Sequence, residues 1–371
     1  MKLLQDADLK DKRVFLRVDF NVPMKNGLIE DDNRIEASLP TIKYIIDHGG
    51  KIVIGTHLGR PEGETDLSLS LWPIAKRLGE LLKLKSDFSA PEEEYRLSPD
   101  IILLENLRFD DREEENDSEY AKELADIATS SDGSAGIFVN DAFAVSHRAN
   151  ASVDAITKYL PSYAGLLLQK EVEHLSQIKD DPKKPFVLII GGIKVKDKVS
   201  VISSLGHLAD KILLGGGIAN TFLKAKGEDI GKSIYDTETV HLCKEMLAKY
   251  ADKILLPTDF SKEYLLSGSF KIMDIGKETR KLFAEKISSA GTVFWNGSLG
   301  YSEDKRYEEG MIEIAEAMSK CKGMTVIAGG DTVGFVKEKK LDKNITFLST
   351  GGGAALEYLA GEKLPGIEAL N

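Results

Sequence analysis

The sequence predicts an α/β protein with parallel sheets in two domains joined by a connecting helix. Three observations carry this. Ten short, continuously apolar runs alternate with longer helical patterns, as in parallel sheets covered by helices. Ten strands are many for one sheet, and 371 residues exceed one typical core. Near the middle, "AGLLLQKEVEHLSQIKDDPKKP" reads as a helix that closes in a polar stretch ending at Pro185.

In the first half the apolar runs are "RVFLRV", "KIVIGT", "IILLEN" and "GIFVND"; in the second they are "PFVLII", "DKILLG", "DKILLP", "GTVFWN", "MTVIAG" and "NITFLS". Each is short and β-branched or aromatic, which suits a strand buried on both faces. Between them "SLWPIAKRLGELLK", "SEYAKELADIA", "TETVHLCKEMLAKY" and "EEGMIEIAEAMSK" carry helical periodicity. The run "DDREEEND" (Asp110 to Asp117) is expected to be a solvated face rather than a metal site.

A net charge of -11 disfavours a phosphate backbone, so nucleic-acid binding is not expected. Any anion must be held by a local basic site against the global field. Cys243 and Cys321 form no CxxC pattern, so neither a disulfide framework nor a zinc site is expected. The start "MKLLQDADLKDKR" has no apolar h-region, and no apolar run reaches the ~18 residues of a membrane helix. These points predict a soluble cytoplasmic protein with no membrane partner.

Ligands of parallel α/β sheets bind beyond the carboxyl ends of the strands. In the first half those positions are polar and basic: Asp19 and Asn21, His57 and Arg60, Arg108, then His147 and Arg148. Arg34, at an expected helix start, reaches the same edge. Arginine holds phosphate and carboxylate bidentately at any working pH, so this set predicts a pocket for a small, highly charged anion. In the second half the strand ends are glycine-rich: "IIGG", "LLGGG", "FWNG", "IAGGD" and "LSTGGG". "AGGDTVGFV" and "STGGGAALEYL" each read as strand, glycine turn and helix N-terminus, a setting that favours phosphate. Asp331 follows Gly329 and Gly330 and is a candidate magnesium ligand, with a plain N-cap as the alternative.

In "GGIKVKDKVS", Lys194 and Lys198 stand four residues apart and would share one face if the segment opens a helix. "KGEDIGKS" has three residues between its glycines where a P-loop needs four, and reads as a loop. No GxGxxG, HExxH or GxSxG is present. A basic pocket in one domain and a glycine-lined nucleotide site in the other predict phosphoryl transfer across a cleft, with hinge closure.

The ordered motifs "RVDFNVPMKNG", "DDNRIEASLPTIKYI", "THLGRPEG", "LLENLRF", "FVNDAFAVSHRA", "PFVLIIGGIKVKDK", "GGGIANTFL", "WNGSLG", "GGDT", "STGGGAALEYL" and "LPGIEAL" are similar to those of phosphoglycerate kinases over almost the whole chain. The resemblance implies two Rossmann-like three-layer (αβα) domains. Residues 1–165 would hold the glycerate, 166–182 would form the connecting helix and 183–351 would hold the nucleotide. A tail of about 352–371 would return to the first domain. It implies reversible phosphoryl transfer from 1,3-bisphosphoglycerate to ADP, giving 3-phosphoglycerate and ATP, with magnesium, by a monomer. Asp19, Asn21, Arg34, His57, Arg60, Arg108 and Arg148 would hold the glycerate. Arg34, Lys194 and Lys198 would neutralise the phosphoryl group in flight. Gly192, Lys198, Gly215, Gly216, Asn296, Glu303 and Gly329, Gly330, Asp331 and Thr332 would hold the nucleotide, with Asp331 on magnesium.

The chain departs from the family pattern at Ile193, Ser298, Tyr301, Ser302 and Ala328, none of which removes a charged group, and the segment between Pro257 and Met273 reads as short. Nucleotide base preference therefore stays open. So do two other functions: a non-catalytic nucleotide-binding protein on the same fold, and a kinase or ligase for a different small carboxylate.

Overall fold

The computed structural model describes residues 1–84, 88, 92–129 and 135–371. The chain divides into two compact units, Met1–Val172 with Lys363–Asn371, and Glu173–Glu362. The division falls inside the helix Leu166–Asp180, which ends two residues before the expected 182. Helix Gly353–Ala360, grouped from sequence with the returning tail, packs instead on helix Val195–Leu205 in the second unit. Residues 363–371 alone belong with the first unit.

All ten apolar runs form strands, because each offers side chains to both faces of a covered sheet. The first sheet has the order Glu94–Ser98, Ile101–Leu104, Lys51–Gly55, Arg13–Arg17, Ile137–Asn140, Ser162–Ala164. Its pairings are parallel except at Glu94–Ser98, an antiparallel edge strand. That strand alternates buried and exposed residues, so it lacks the continuous apolar signal that marked four of the others, as does the three-residue edge strand Ser162–Ala164. The second sheet is parallel throughout, in the order Ile254–Leu255, Lys211–Leu214, Phe186–Ile190, Thr292–Asn296, Met324–Ala328, Phe347–Ser349.

Each unit has its own core. In the first, Val14, Leu16, Ile52, Ile54, Leu103 and Val139 pack with Ile35, Ile42 and Ile45 of helix Asn33–Asp47 and Leu78 of helix Trp72–Leu81. In the second, Val187, Ile189, Leu213, Val293, Trp295 and Ile327 pack with Phe283 of helix Lys277–Ser288 and Ile314 and Met318 of helix Glu309–Lys320.

Both sheets reverse direction once. The first unit runs outward from Arg13–Arg17 through Lys51–Gly55 to Ile101–Leu104, then resumes on the other side at Ile137–Asn140. The second runs from Phe186–Ile190 through Lys211–Leu214 to Ile254–Leu255, then resumes at Thr292–Asn296. Such reversals open a crevice at the carboxyl edge, and the candidate residues gather there.

The expected solvated face of "DDREEEND" is only partly observed. Glu113 is fully buried, accepting from Ser152 N at 3.0 Å and Ser152 Oγ at 2.6 Å, with Arg17 3.5 Å away. A buried arginine requires a carboxylate, and the acidic run supplies it. Among the described residues no group of three or more His, Cys, Asp or Glu is placed to hold a metal, and no helix is long and apolar enough to cross a membrane. "KGEDIGKS" begins at the last residue of helix Gly216–Lys226 and then forms a loop, with Gly227 as the left-handed cap.

Candidate active site

On the first sheet, Asp19 follows strand Arg13–Arg17 and is buried. Its Oδ1 accepts from Asn21 N at 3.0 Å, its Oδ2 pairs with the guanidinium of Arg34, and His57 Nδ1 lies 4.0 Å from Oδ1. Arg34 reaches it from the first turn of helix Asn33–Asp47. Burial pushes the Asp19 carboxyl up, but Arg34, His57 and the Asn21 amide together hold it below the usual carboxylate value. Burial pushes His57 far down, and Arg17, Arg108 and Arg34 add to this against Asp19, so the ring is neutral near pH 7.

A second group adjoins the first through Gly59. Its N–H donates to Asn21 Oδ1 at 3.0 Å, and its carbonyl accepts from Arg108 Nη1 at 2.9 Å. Arg108 Nη2 lies 3.1 Å from Glu114 Oε1, and Arg148 Nη1 lies 3.5 Å from the same oxygen. Arg148 Nε donates to His147 Nε2 at 3.3 Å. Arg60 is exposed and has no ion pair among the described residues. Among the described residues the buried atoms His57 Nδ1 and Arg108 Nε lack partners, which costs stability unless a ligand supplies them. Asp19, Asn21, Arg34, His57, Arg108 and Arg148 thus form one linked cluster. His147 and Glu114 join it, and Glu114 occupies two of the arginines.

On the second sheet a cavity of about 740 Å³ runs along the carboxyl edge. Gly192, Lys194, Lys198, Gly216, Asn296, Glu303, Gly329, Gly330, Asp331 and Thr332 all line it. Gly215 does not: it caps helix Gly216–Lys226, donates to Ile190 O at 3.0 Å, and faces Leu299, while Gly217 lines the cavity in its place. Gly216 has φ +59, and a Cβ there would lie 2.5 Å from Ser298 O, so no other residue fits.

Lys198 projects from helix Val195–Leu205 and sits at the reversal between Phe186–Ile190 and Thr292–Asn296. Lys198 is 8% exposed, and its ammonium donates to Asn296 Oδ1, whose own Nδ2 donates to Ala328 O at 2.9 Å. Burial lowers its pKa to about 8, against the opposing pull of Asp197 and Asp331. Gly297 makes room for it: at φ +91, a Cβ there would come within 2.5 Å of Nζ and 2.3 Å of Gly191 O. Lys194 does not share the helix face as expected. It precedes the helix as its N-cap and is exposed, so the two lysines enter the cavity from different surroundings.

Thr332 Oγ1 accepts from Gly297 N at 3.1 Å, linking two of the glycine turns. Asp331 lies in the first turn of helix Gly330–Glu338 and is exposed; the N-cap is Gly329, at φ +100, so the plain N-cap alternative fails. Ile193 and Tyr301 line the cavity and are 61% and 50% exposed. Sequence reasoning missed Gly297 and Asn220, both cavity residues. The "WNG" motif marked the first; nothing local marks the second.

A family model described as phosphoglycerate kinase matches residues 4–362. The chain is 41% identical to the phosphoglycerate kinase of Finegoldia magna, over all of this chain and 99% of the relative. It is 42% identical to that of Coprothermobacter proteolyticus, over all of this chain and 98% of the relative. It is similar to the solved phosphoglycerate kinases of Coxiella burnetii (TM-score 0.83, 36% identity, 99% of this chain and 98% of that one) and Pyrococcus horikoshii (TM-score 0.87, 32% identity, 100% and 98%). Because these matches span both sheets and every motif at their carboxyl edges, the chain belongs to the phosphoglycerate kinase family and is a phosphotransferase.

Proposed function

We propose that the cluster on the first sheet holds 3-phosphoglycerate or 1,3-bisphosphoglycerate, and that the cavity on the second holds ADP or ATP. The reaction is reversible phosphoryl transfer between the glycerate carboxylate and the nucleotide. The non-catalytic reading drops out, since the charged set is complete and the relatives are named as kinases.

The observation that carries the assignment of roles is Lys198. A buried ammonium with a neutral amide as its partner is a charge held ready for an anion. Lys198 and Lys194 meet the nucleotide phosphates, and Arg34 meets the transferring group from the glycerate side. Arg60, Arg108 and Arg148 hold the glycerate's phosphate and carboxylate, with Asp19, Asn21 and His57 fixing its hydroxyl and the arginines themselves. The neutral His57 donates or accepts one hydrogen bond without adding charge. The attacking oxygen is a carboxylate or a phosphate, already anionic because carboxylates titrate near pH 4, so no general base is needed. Direct in-line transfer follows from positioning and electrostatics.

Magnesium fits this site as a guest of the nucleotide. Asp331 offers one exposed carboxylate beside the glycine turns, and no all-protein cage exists among the described residues, which matches how magnesium binds with phosphate oxygens. When bound, it would neutralise charge on the nucleotide phosphates, with Asp331 as its protein ligand. The protein is further read as a cytoplasmic monomer.

The test is a coupled assay for ADP formed from MgATP in the presence of 3-phosphoglycerate. Turnover that depends on the glycerate supports the reading. Turnover with another small carboxylate and none with 3-phosphoglycerate overturns it.

A further inference from the structure

We propose that Asn106 is a positioning residue for the cluster on the first sheet, its side-chain amide setting Arg60 and Arg108 against each other; this rests on the glycerate reading above. Asn106 follows strand Ile101–Leu104 and is 3% exposed. Its Oδ1 accepts from Leu58 N at 3.2 Å and from Arg108 N at 3.2 Å. Its Nδ2 donates to Leu58 O at 2.8 Å and to Leu69 O at 3.0 Å. A carboxamide offers two acceptor and two donor places, and all four are used. Two N–H groups meet the oxygen and two carbonyls meet the nitrogen, so the amide can face only one way. Nothing of it is left for a ligand, so its effect on binding runs through the backbone it holds.

That backbone carries the cluster. Leu58 stands between His57 and Gly59, and Asn106 takes both its N–H and its carbonyl. Leu69 lies at the other end of the same loop, so one side chain closes at both ends the loop that presents Arg60. Arg60 is exposed and has no ion pair among the described residues, so its place depends on this backbone. Arg108 is tied twice: its N–H meets Asn106 Oδ1, and its Nη1 donates to Gly59 O at 2.9 Å. Glu105 extends the frame, its Oε1 accepting from Asn106 N at 2.7 Å and from Leu71 N at 2.7 Å. Leu58 and Leu107 are buried and hold the same segments to the core. Apolar burial is non-directional, however, and leaves open which atoms face each other. The amide decides that, and a shift of about 1 Å in a binding group is enough to cost affinity.

The test is calorimetry of 3-phosphoglycerate and of ADP, each titrated into the parent, Asn106→Ala and Ile42→Val. Ile42 lies in the core of the same unit, so its variant reports lowered stability alone. In Asn106→Ala the Kd for 3-phosphoglycerate should rise about tenfold or more, while that for ADP stays within about twofold. Ile42→Val should move neither. A glycerate Kd near the parent's, an equal loss of ADP binding, or a matching loss in Ile42→Val overturns the proposal and assigns Asn106 to stability. If Asn106→Ala does not fold, Asn106→Ser, whose hydroxyl can remake one of the four contacts, is judged on the same criteria. Failure of both to fold also overturns the proposal. A parent that does not bind 3-phosphoglycerate overturns the glycerate reading itself, so the two failures are distinguishable.

Discussion

Replacing Lys198 with methionine, which keeps the length and removes the charge, should stabilise the protein at neutral pH while removing most of its turnover. Burial holds the ammonium at a pKa of about 8 against an ordinary 10.5. At about 1.4 kcal/mol per pH unit, keeping the charge in the folded state costs about 3 kcal/mol. The folded-state pKa lies below the unfolded one, so between about 8 and 10.5 the unfolded chain binds more protons and stability rises with pH. The cost is complete below pH 8 and gone above 10.5. Against this, methionine leaves Asn296 Oδ1 without its donor, a loss of about 1–3 kcal/mol at any pH. The variant should therefore exceed the parent by about 0–2 kcal/mol at pH 7 and fall below it by about 1–3 kcal/mol near pH 10.5. Urea melts of both proteins across this range measure the difference, and the coupled assay measures turnover. Turnover should fall by about a hundredfold or more, the scale for removing one donor to a developing charge. A stability difference that does not change with pH, or turnover near the parent's, would refute the assignment of Lys198 as a charge held under strain for catalysis.

Three further substitutions test other parts of the site. Glu114→Gln frees Arg108 and Arg148, so KM for the glycerate should fall about two- to fivefold with kcat unchanged, as suits a half-exposed ion pair; a raised KM would mean that Glu114 positions the arginines instead. Asp331→Asn should raise the magnesium concentration for half-maximal rate by about tenfold at fixed ATP, and an unchanged magnesium titration would remove Asp331 as a ligand. Asp141 accepts from Leu167 N at 2.9 Å at the start of helix Leu166–Asp180, and burial raises its carboxyl to about 7. The folded chain keeps that proton where the unfolded chain has lost it, so the stability it confers is full below about pH 4 and lost as pH rises through 7. Asp141→Asn should flatten the pH dependence of Tm over this window and exceed the parent at pH 8; parallel curves would count against it.

The strands were legible because burial on both faces writes a continuous apolar run, and the site was legible because parallel strands deliver their following residues to one edge. Asp19, His57 and Arg108 could be placed together from the sequence on that ground. Glu94–Ser98 escaped because an edge strand alternates. Glu113 escaped because the partner that buries it, Arg17, is far away in the chain. Asn106 escaped for a related reason: a single asparagine after a strand reads as ordinary, and its partners at Leu58 and Leu69 are far away in the chain. Gly215 and Gly216 show the limit of a motif, since only the fold decides which of two adjacent glycines meets the cavity.

The return of residues 363–371 to the first unit bears on the order in which the chain acquires its shape. Gly366 N donates to Ser146 O at 2.9 Å and its carbonyl accepts from Asn140 Nδ2 at 3.1 Å, so this segment is seated against the loop that carries His147 and Arg148. A Cβ on Gly366 would lie 2.6 Å from Val153, so the seat admits little else. During synthesis the second unit is an uninterrupted stretch, 173–362, and can close as soon as it leaves the ribosome. The first unit, though translated earlier, must wait with an unfinished groove until 363–371 emerges. The half of the protein made first is thus the half completed last, and its loop carrying His147 and Arg148 is set by residues more than two hundred positions downstream.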